Sequence, residues 1–184
     1  MKTLFIDNEI KYEGWQLCPH WIYKNFKLQG DAIVAFVGEC EVKLTEMVDI
    51  EDVINNEPIY SKLMLSFISE QFNVGLVEGV FRQRLLICKI KEALEKRGFS
   101  VTRDGDDLFF DNKKLTVSIA TKSATSILIH TGVNIISEGA PIKASGLQSD
   151  MKISDIKSLA QEIMVQYSEE IDDIVMASTK VRGV

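Results

Sequence analysis

The chain has 184 residues, 46% hydrophobic, 26% charged and 8% aromatic, which is enough apolar material for a sizeable core and too much for wholesale disorder. Lys and Arg number 21 against 27 Asp and Glu, a net charge of −6. That surplus argues against a general nucleic-acid binder, which needs cations to displace phosphate counterions.

Thr3–Ile6 and Ile10–Tyr12 are apolar runs around Asp7-Asn8, residues that tolerate turn geometry, and they predict an opening hairpin. Pro19 suits the first turn of a short helix carrying Trp21, Ile22 and Phe26. Asp31 leads into Ala32–Val37, an almost continuous apolar run expected as a buried strand, with Glu39–Leu44 as its neighbour. The acidic stretch Asp49–Asn55 predicts a short helical turn before Pro58. From Ser61 to Phe72, the residues Leu63, Met64, Phe67, Ile68 and Phe72 recur at helical spacing. The pattern breaks between Gly75 and Gly79. Phe81, Leu85, Leu86, Cys88, Ile90 and Leu94 then predict a second amphipathic helix that stops at Arg97-Gly98.

Leu108–Phe110, Leu115–Thr121 and Ser126–Ile136 are β-rich, with polar turns at Asp111-Asn112 and Lys122–Ala124, and predict three adjacent antiparallel strands. Ser154 is a good N-cap for a last helix with Ile156, Leu159, Ile163, Tyr167 and Ile174 on its buried face. Strands and helices are interspersed without strict βαβ alternation. The expected fold class is therefore α+β, a mostly antiparallel sheet flanked by helices in one domain over residues 1–184.

Three widely spaced cysteines, Cys18, Cys40 and Cys88, form no C-x-x-C pair. A disulfide framework and a zinc site built on cysteine pairs are both disfavoured, and no structural metal is expected. No run approaches the roughly 20 apolar residues that span a bilayer, so the expected compartment is a reducing cytoplasm. Cys40 lies between Glu39 and Glu41, anionic neighbours that disfavour a thiolate nucleophile. His20 and His130 read as structural, with His130 a candidate base if it faces the Lys114 strand. The group Glu46, Asp49, Glu51 and Asp52 reads as a solvated turn, and Lys180-Val181-Arg182 as a frayed basic end.

Chemistry concentrates at Asp106-Asp107-Leu108-Phe109-Phe110-Asp111-Asn112-Lys113-Lys114-Leu115. On a tight hairpin an acidic pair lies across from a lysine pair, which sets candidate Mg²⁺ ligands near a cation able to stabilise a phosphate or an oxyanion. A solvated hairpin tip has the same composition.

The string Asp107–Leu115 resembles the core motif of the biotin– and lipoate–protein ligases, where an Asn-Asp pair, two or three apolar residues, a turn and a basic-Lys-Leu step enter an inner strand. Downstream, Ile127–Ile135, with Gly132-Val133-Asn134, resembles the Gly-Ile-Asn-Val strand of the biotin ligases. The whole chain also resembles an uncharacterised prokaryotic domain-of-unknown-function family, DUF family 366, in the order of its Ala32–Phe36 strand, Met47–Val53 acidic stretch and Arg82-Gln83-Arg84 step.

The ligase resemblance implies a sheet like that of those catalytic domains and of class II aminoacyl-tRNA synthetases. It further implies that Lys114 contacts the phosphate and carboxylate of an acyl-adenylate, that Asp107 with Asp106 sits near a metal, and that Gly132 and Asn134 line a nucleotide pocket. ATP and Mg²⁺ are the implied cofactors. The implied partner is a small carboxylic acid or nucleotide, the acceptor is unspecified, and a homodimer stays open. Asp106 stands where those ligases have Asn, Thr116-Val117-Ser118 replaces a small-Gly step, and the Gly-rich basic loop is absent as a motif. Its nearest substitute is Gly75–Arg84, where Arg82 and Arg84 would hold a phosphate or carboxylate. The resulting expectation is an enzyme that activates or transfers a small carboxylic acid. The alternative is a non-catalytic ligand-binding or oligomerising domain on the same sheet.

Overall fold

A computed structural model describes all 184 residues. In chain order the elements are β1 (Lys2–Phe5), α1 (Trp21–Phe26), β2 (Ala32–Val42), α2 (Ile50–Asn55), β3 (Ile59–Phe72) and α3 (Leu76–Glu95). They are followed by β4 (Thr102–Asp104), β5 (Asp107–Phe110), β6 (Lys113–Lys114), β7 (Thr116–Lys122), β8 (Ser126–Ile136) and α4 (Ile156–Ser178). A five-stranded sheet runs β1-β2-β3-β8-β7, and a three-stranded one runs β4-β5-β6. Only the β1–β2 pair is parallel. The fold is α+β with a mostly antiparallel sheet, as the sequence predicts. No helix is long and apolar enough to cross a membrane.

The central strands β2, β3 and β8 of the large sheet are buried on both faces. Ile33, Ala35, Leu65, Phe67, Ile129 and Val133 point toward α3 and α4, meeting Leu86, Ile90, Leu159 and Ile163. The alternate residues Val34, Phe36, Met64, Ile68 and Leu128 meet Tyr12, Leu17, Trp21 and Ile22 from the segment around α1. Double burial explains why residues 61–72, expected as a helix, form the long central strand β3. Both parities of the strand are apolar, so its period-2 signal vanishes, and Leu63, Met64, Phe67 and Ile68 mimic a helical stripe.

Other expectations are corrected locally. Thr3–Ile6 and Ile10–Tyr12 form no hairpin: the chain runs parallel beside β2, with the Ile10 N–H donating to Val37 O at 3.0 Å and Tyr12 N–H to Glu39 O at 2.8 Å. The two strands expected at 32–37 and 39–44 are one strand, β2, with a register shift between Gly38 and Cys40. The Gly75–Gly79 break is the first turn of α3, where the Gly79 backbone packs against Ile127 of β8. Leu108–Phe110 pairs within the small sheet rather than with β7. Asp155, not Ser154, caps α4, and Ile171 takes the buried position expected for Ile174, which is 49% exposed.

The β5–β6 hairpin turns through Asp111 and Asn112, both at positive φ (51° and 58°), as a two-residue turn of this twist requires. Its second strand is held from the other side too. The Lys114 N–H donates to Lys143 O at 3.0 Å, and the Ser145 N–H donates to Lys114 O at 2.9 Å. Asp150 anchors that loop by accepting from Ser149 Oγ (2.6 Å), Ser137 Oγ (2.8 Å), the Gly146 N–H (3.0 Å) and Lys113 Nζ (3.2 Å). Partial burial would raise the Asp150 pKa, but these donors outweigh it and bring the carboxyl to about 2.

A carboxyl depressed in the folded state stabilises above its unfolded pKa, and the benefit is lost as pH falls through the folded value. Asp150→Asn is therefore expected to cost about 2 kcal/mol at pH 7 and much less near pH 2, as urea titration at the two pH values would show. Gly79→Ala sets a Cβ 2.6 Å from Ile127 Cγ2. Overpacking of roughly 1–3 kcal/mol then exceeds the gain in helix propensity of about 1 kcal/mol, so the melting temperature should fall.

Candidate functional site

Opposite α3 and α4, a cleft of about 520 Å³ opens onto the sheet. Met64 of β3, Val117 and Ile119 of β7, and His130 and Asn134 of β8 form its floor. One wall is the segment through α2, with Glu46, Asp49, Asp52 and Glu57. The small sheet contributes Asp106, Asp107 and Lys114, and Pro141, Ile142 and Ala144 complete the rim.

Lys114 lies opposite Phe109 in the hairpin register, so Asp107, two residues along β5, is its diagonal neighbour on the same face. The Lys114 ammonium and Asp107 carboxylate meet at 2.9 Å, each side chain 30% exposed. Burial raises the Asp107 pKa, and the Lys114 ammonium offsets this only in part. The sequence expectation that these two groups share a cleft is met in the geometry.

The other expected site residues divide. Asp106 lines the cleft, but its carboxylate is taken by Arg84 at 3.1 Å and by the Gln83 amide at 2.7 Å. Arg84 thus sits behind Asp106 rather than in the cleft. Arg82 is elsewhere: Glu78 accepts from it at 2.5 Å, and it also donates to Gln71, which is bonded in turn to Ser69 and Tyr167. Gly132 does not line the cleft, and the Met64 thioether fills the space that a Cβ there would enter. Asn134 does line it, at 7% exposure, and its side-chain amide has no hydrogen bond within the chain. No fully buried side-chain polar atom lacks a partner, so that amide opens to the cleft.

His130 stacks on Tyr12 (ring centroids 3.7 Å apart) with its Nε2 3.3 Å from Ser66 Oγ. Burial lowers its pKa to about 3, so it stays neutral at physiological pH and is a feeble base. Cys40 is fully buried, and burial, with Glu39 adding, raises its thiol to about 12. His20 spends its backbone N–H on the buried Glu70 carboxylate at 2.9 Å, fastening α1 to the sheet. No three His, Cys, Asp or Glu side chains converge as metal ligands, and Asp106 and Asp107 are each paired with a cation. This donor set does not fit a resident Mg²⁺.

The wall through α2 is what sequence reasoning missed. Its acidic density was visible, but nothing in one sequence shows that it faces Lys114. Asp52 is half-buried there, and its pKa is raised by burial, then by Asp49 and Glu57, with Lys114 opposing.

The family model described as "Domain of unknown function (DUF366)" matches residues 1–182. "Uncharacterized protein MJ0805" of Methanocaldococcus jannaschii is 39% identical over 180 residues, covering 95% of this chain and 81% of that protein. A solved "Protein of Unknown Function from Pyrococcus horikoshi" superposes at TM-score 0.94 with 36% identity, over 100% of this chain and 98% of the other. Ta0514 of T. acidophilum, a "putative lipoate protein ligase" with bound lipoic acid, shares the fold at TM-score 0.64 and 12% identity, over 93% and 86% of the two chains. A lipoate-protein ligase A bound with ATP (TM-score 0.63, 12% identity, 94% and 86%) and a biotin protein ligase of Aquifex aeolicus in complex with biotin (0.61, 15%, 94% and 70%) share it as well. At such identities the likeness is one of fold.

The Asp107 carboxyl should titrate above the ordinary Asp range in a ¹³C NMR pH series. Lys114→Met should move its midpoint higher still, because removing the cation leaves burial unopposed. A midpoint that does not change would mean the pair is not formed in solution.

Proposed function

The chain belongs to the DUF366 domain-of-unknown-function family, and from the residues of its cleft we propose that it activates or transfers a small carboxylic acid. One observation carries this reading: a lysine ammonium, held by a partly buried carboxylate, borders a concave cleft beside an unpartnered amide. Lys114 is the electrostatic catalyst. It donates to the substrate carboxylate in the ground state and stabilises negative charge that grows on oxygen as the acyl group is activated or displaced. Asp107 is a positioning residue that keeps the ammonium at the cleft wall, and the Asn134 amide donates to the substrate oxygen. The shared fold of ligases solved with lipoic acid, biotin or ATP supports a small-acid substrate and an ATP-driven step.

The residues expected to hold a nucleotide support it only through Lys114 and Asn134. Arg82, Arg84 and Gly132 are committed to other contacts. A non-catalytic domain that binds a carboxylate would use the same cation, so turnover rather than binding separates it from the enzyme.

ATP–pyrophosphate exchange with Mg²⁺ and a panel of small carboxylic acids tests this. At least one acid should support exchange, and Lys114→Ala should lower it by about 100-fold or more with little change in melting temperature. Exchange that survives in Lys114→Ala, or a large stability loss with ligand binding intact, would make the lysine structural.

A further inference from the structure

We propose that the acid taken by this cleft also carries a primary ammonium group, bound by the carboxylate wall of Asp49, Asp52 and Glu57 while its carboxylate meets Lys114 and Asn134. This rests on the preceding reading and names its substrate class: a zwitterionic amino acid rather than an aliphatic or purely anionic one.

Charge comes first. Six carboxylates line the cleft (Glu46, Asp49, Asp52, Glu57, Asp106 and Asp107) against one ammonium, Lys114. Asp106 and Asp107 are neutralised by Arg84 and Lys114. The four carboxylates of the α2 wall form no ion pair within the chain, and the only side-chain acceptance among them is Asp49 capping α2 at the Glu51 N–H, 2.8 Å. A concave site with low-dielectric walls concentrates such a field. An anion entering there meets a net negative wall after Lys114 has been paired with Asp107, whereas a zwitterion satisfies both poles at once.

The second observation is independent of charge. Asn134 is more than nine-tenths buried and lines the same cleft, yet its amide has no partner in the chain. A polar group held in that state points to a ligand that supplies its hydrogen bonds. A substrate carboxylate supplies them, and the unpaired α2 wall then decides what stands at the other end of the molecule. The two poles border one cavity of about 520 Å³, since Asp52 and Lys114 both line it.

The fit is tested by calorimetric titration of the full chain at low salt. The probes are ω-amino acids of three to six carbons and L-lysine, with unbranched acids and amines of matching length and Nα-acetyl-lysine amide. The best amino acid should bind at least about tenfold more tightly than its matching acid. Asp52→Asn/Glu57→Gln should reduce that preference to twofold or less without lowering the melting temperature, and Lys114→Ala should weaken both classes. An acid that binds as tightly as its amino counterpart, with binding lost in Lys114→Ala, overturns the zwitterion and leaves the carboxylic-acid reading standing. An amine or acetyl-lysine amide that binds as tightly as the amino acid overturns it too, because the wall would then serve an acceptor amine. No binding by any probe overturns both.

Discussion

The cleft exists because one sheet has two covers of unequal extent. The layer of α3 and α4 covers one face from β1 to β7, while the segment around α1 covers the other face mainly over β2 and β3. Where that second cover ends, the outer face of β8 and β7 would lie open. The small sheet, the α2 segment and the loop after β8 close around it without filling it. A concave volume with polar groups at its floor is the usual form of a small-molecule site. Met64, Val117, Ile119, His130 and Asn134 reach the cleft because that second layer is incomplete.

Within the cleft, Lys114 is fixed by its main chain more than by its ammonium. Its N–H and C=O are both bonded to the loop at 143–145, and its hairpin partner is bonded on the opposite side. A long side chain on a doubly anchored backbone loses less freedom when it engages a ligand than one on a free loop. Asp107 is as constrained, since Leu108 next to it is fully buried and its N–H donates to Thr116 Oγ1 at 2.8 Å. The pair thus sits on strands, where geometry holds to a tighter tolerance than on the rim.

Much of this was legible in the residues. The Asp107–Leu115 motif implied the hairpin, its tight turn at Asp111-Asn112 and the convergence of Lys114 with Asp107. Helices α3 and α4 carried readable stripes because each buries a single face. Strand β3 did not, since an element covered on both sides has no polar face to set its period. Long-range partnerships were equally hidden: Arg84 with Asp106, Gln71 with Tyr167, and the α2 wall with Lys114 depend on how elements pack, and no local spacing encodes them.

The parallel strand β1 has a further consequence for how the molecule assembles. It occupies the sheet's edge beside β2 and packs against α4, where Ser168 Oγ donates to the Met1 carbonyl at 2.7 Å and Lys157 pairs with Asp7 at 2.5 Å. These contacts join stretches 150 or more positions apart, and closing so wide a loop is entropically demanding. During synthesis β1 leaves the ribosome before the other strands, yet α4, which clasps it, follows them all. Until then the apolar face that α4 covers lies open, the kind of surface that chaperones shield.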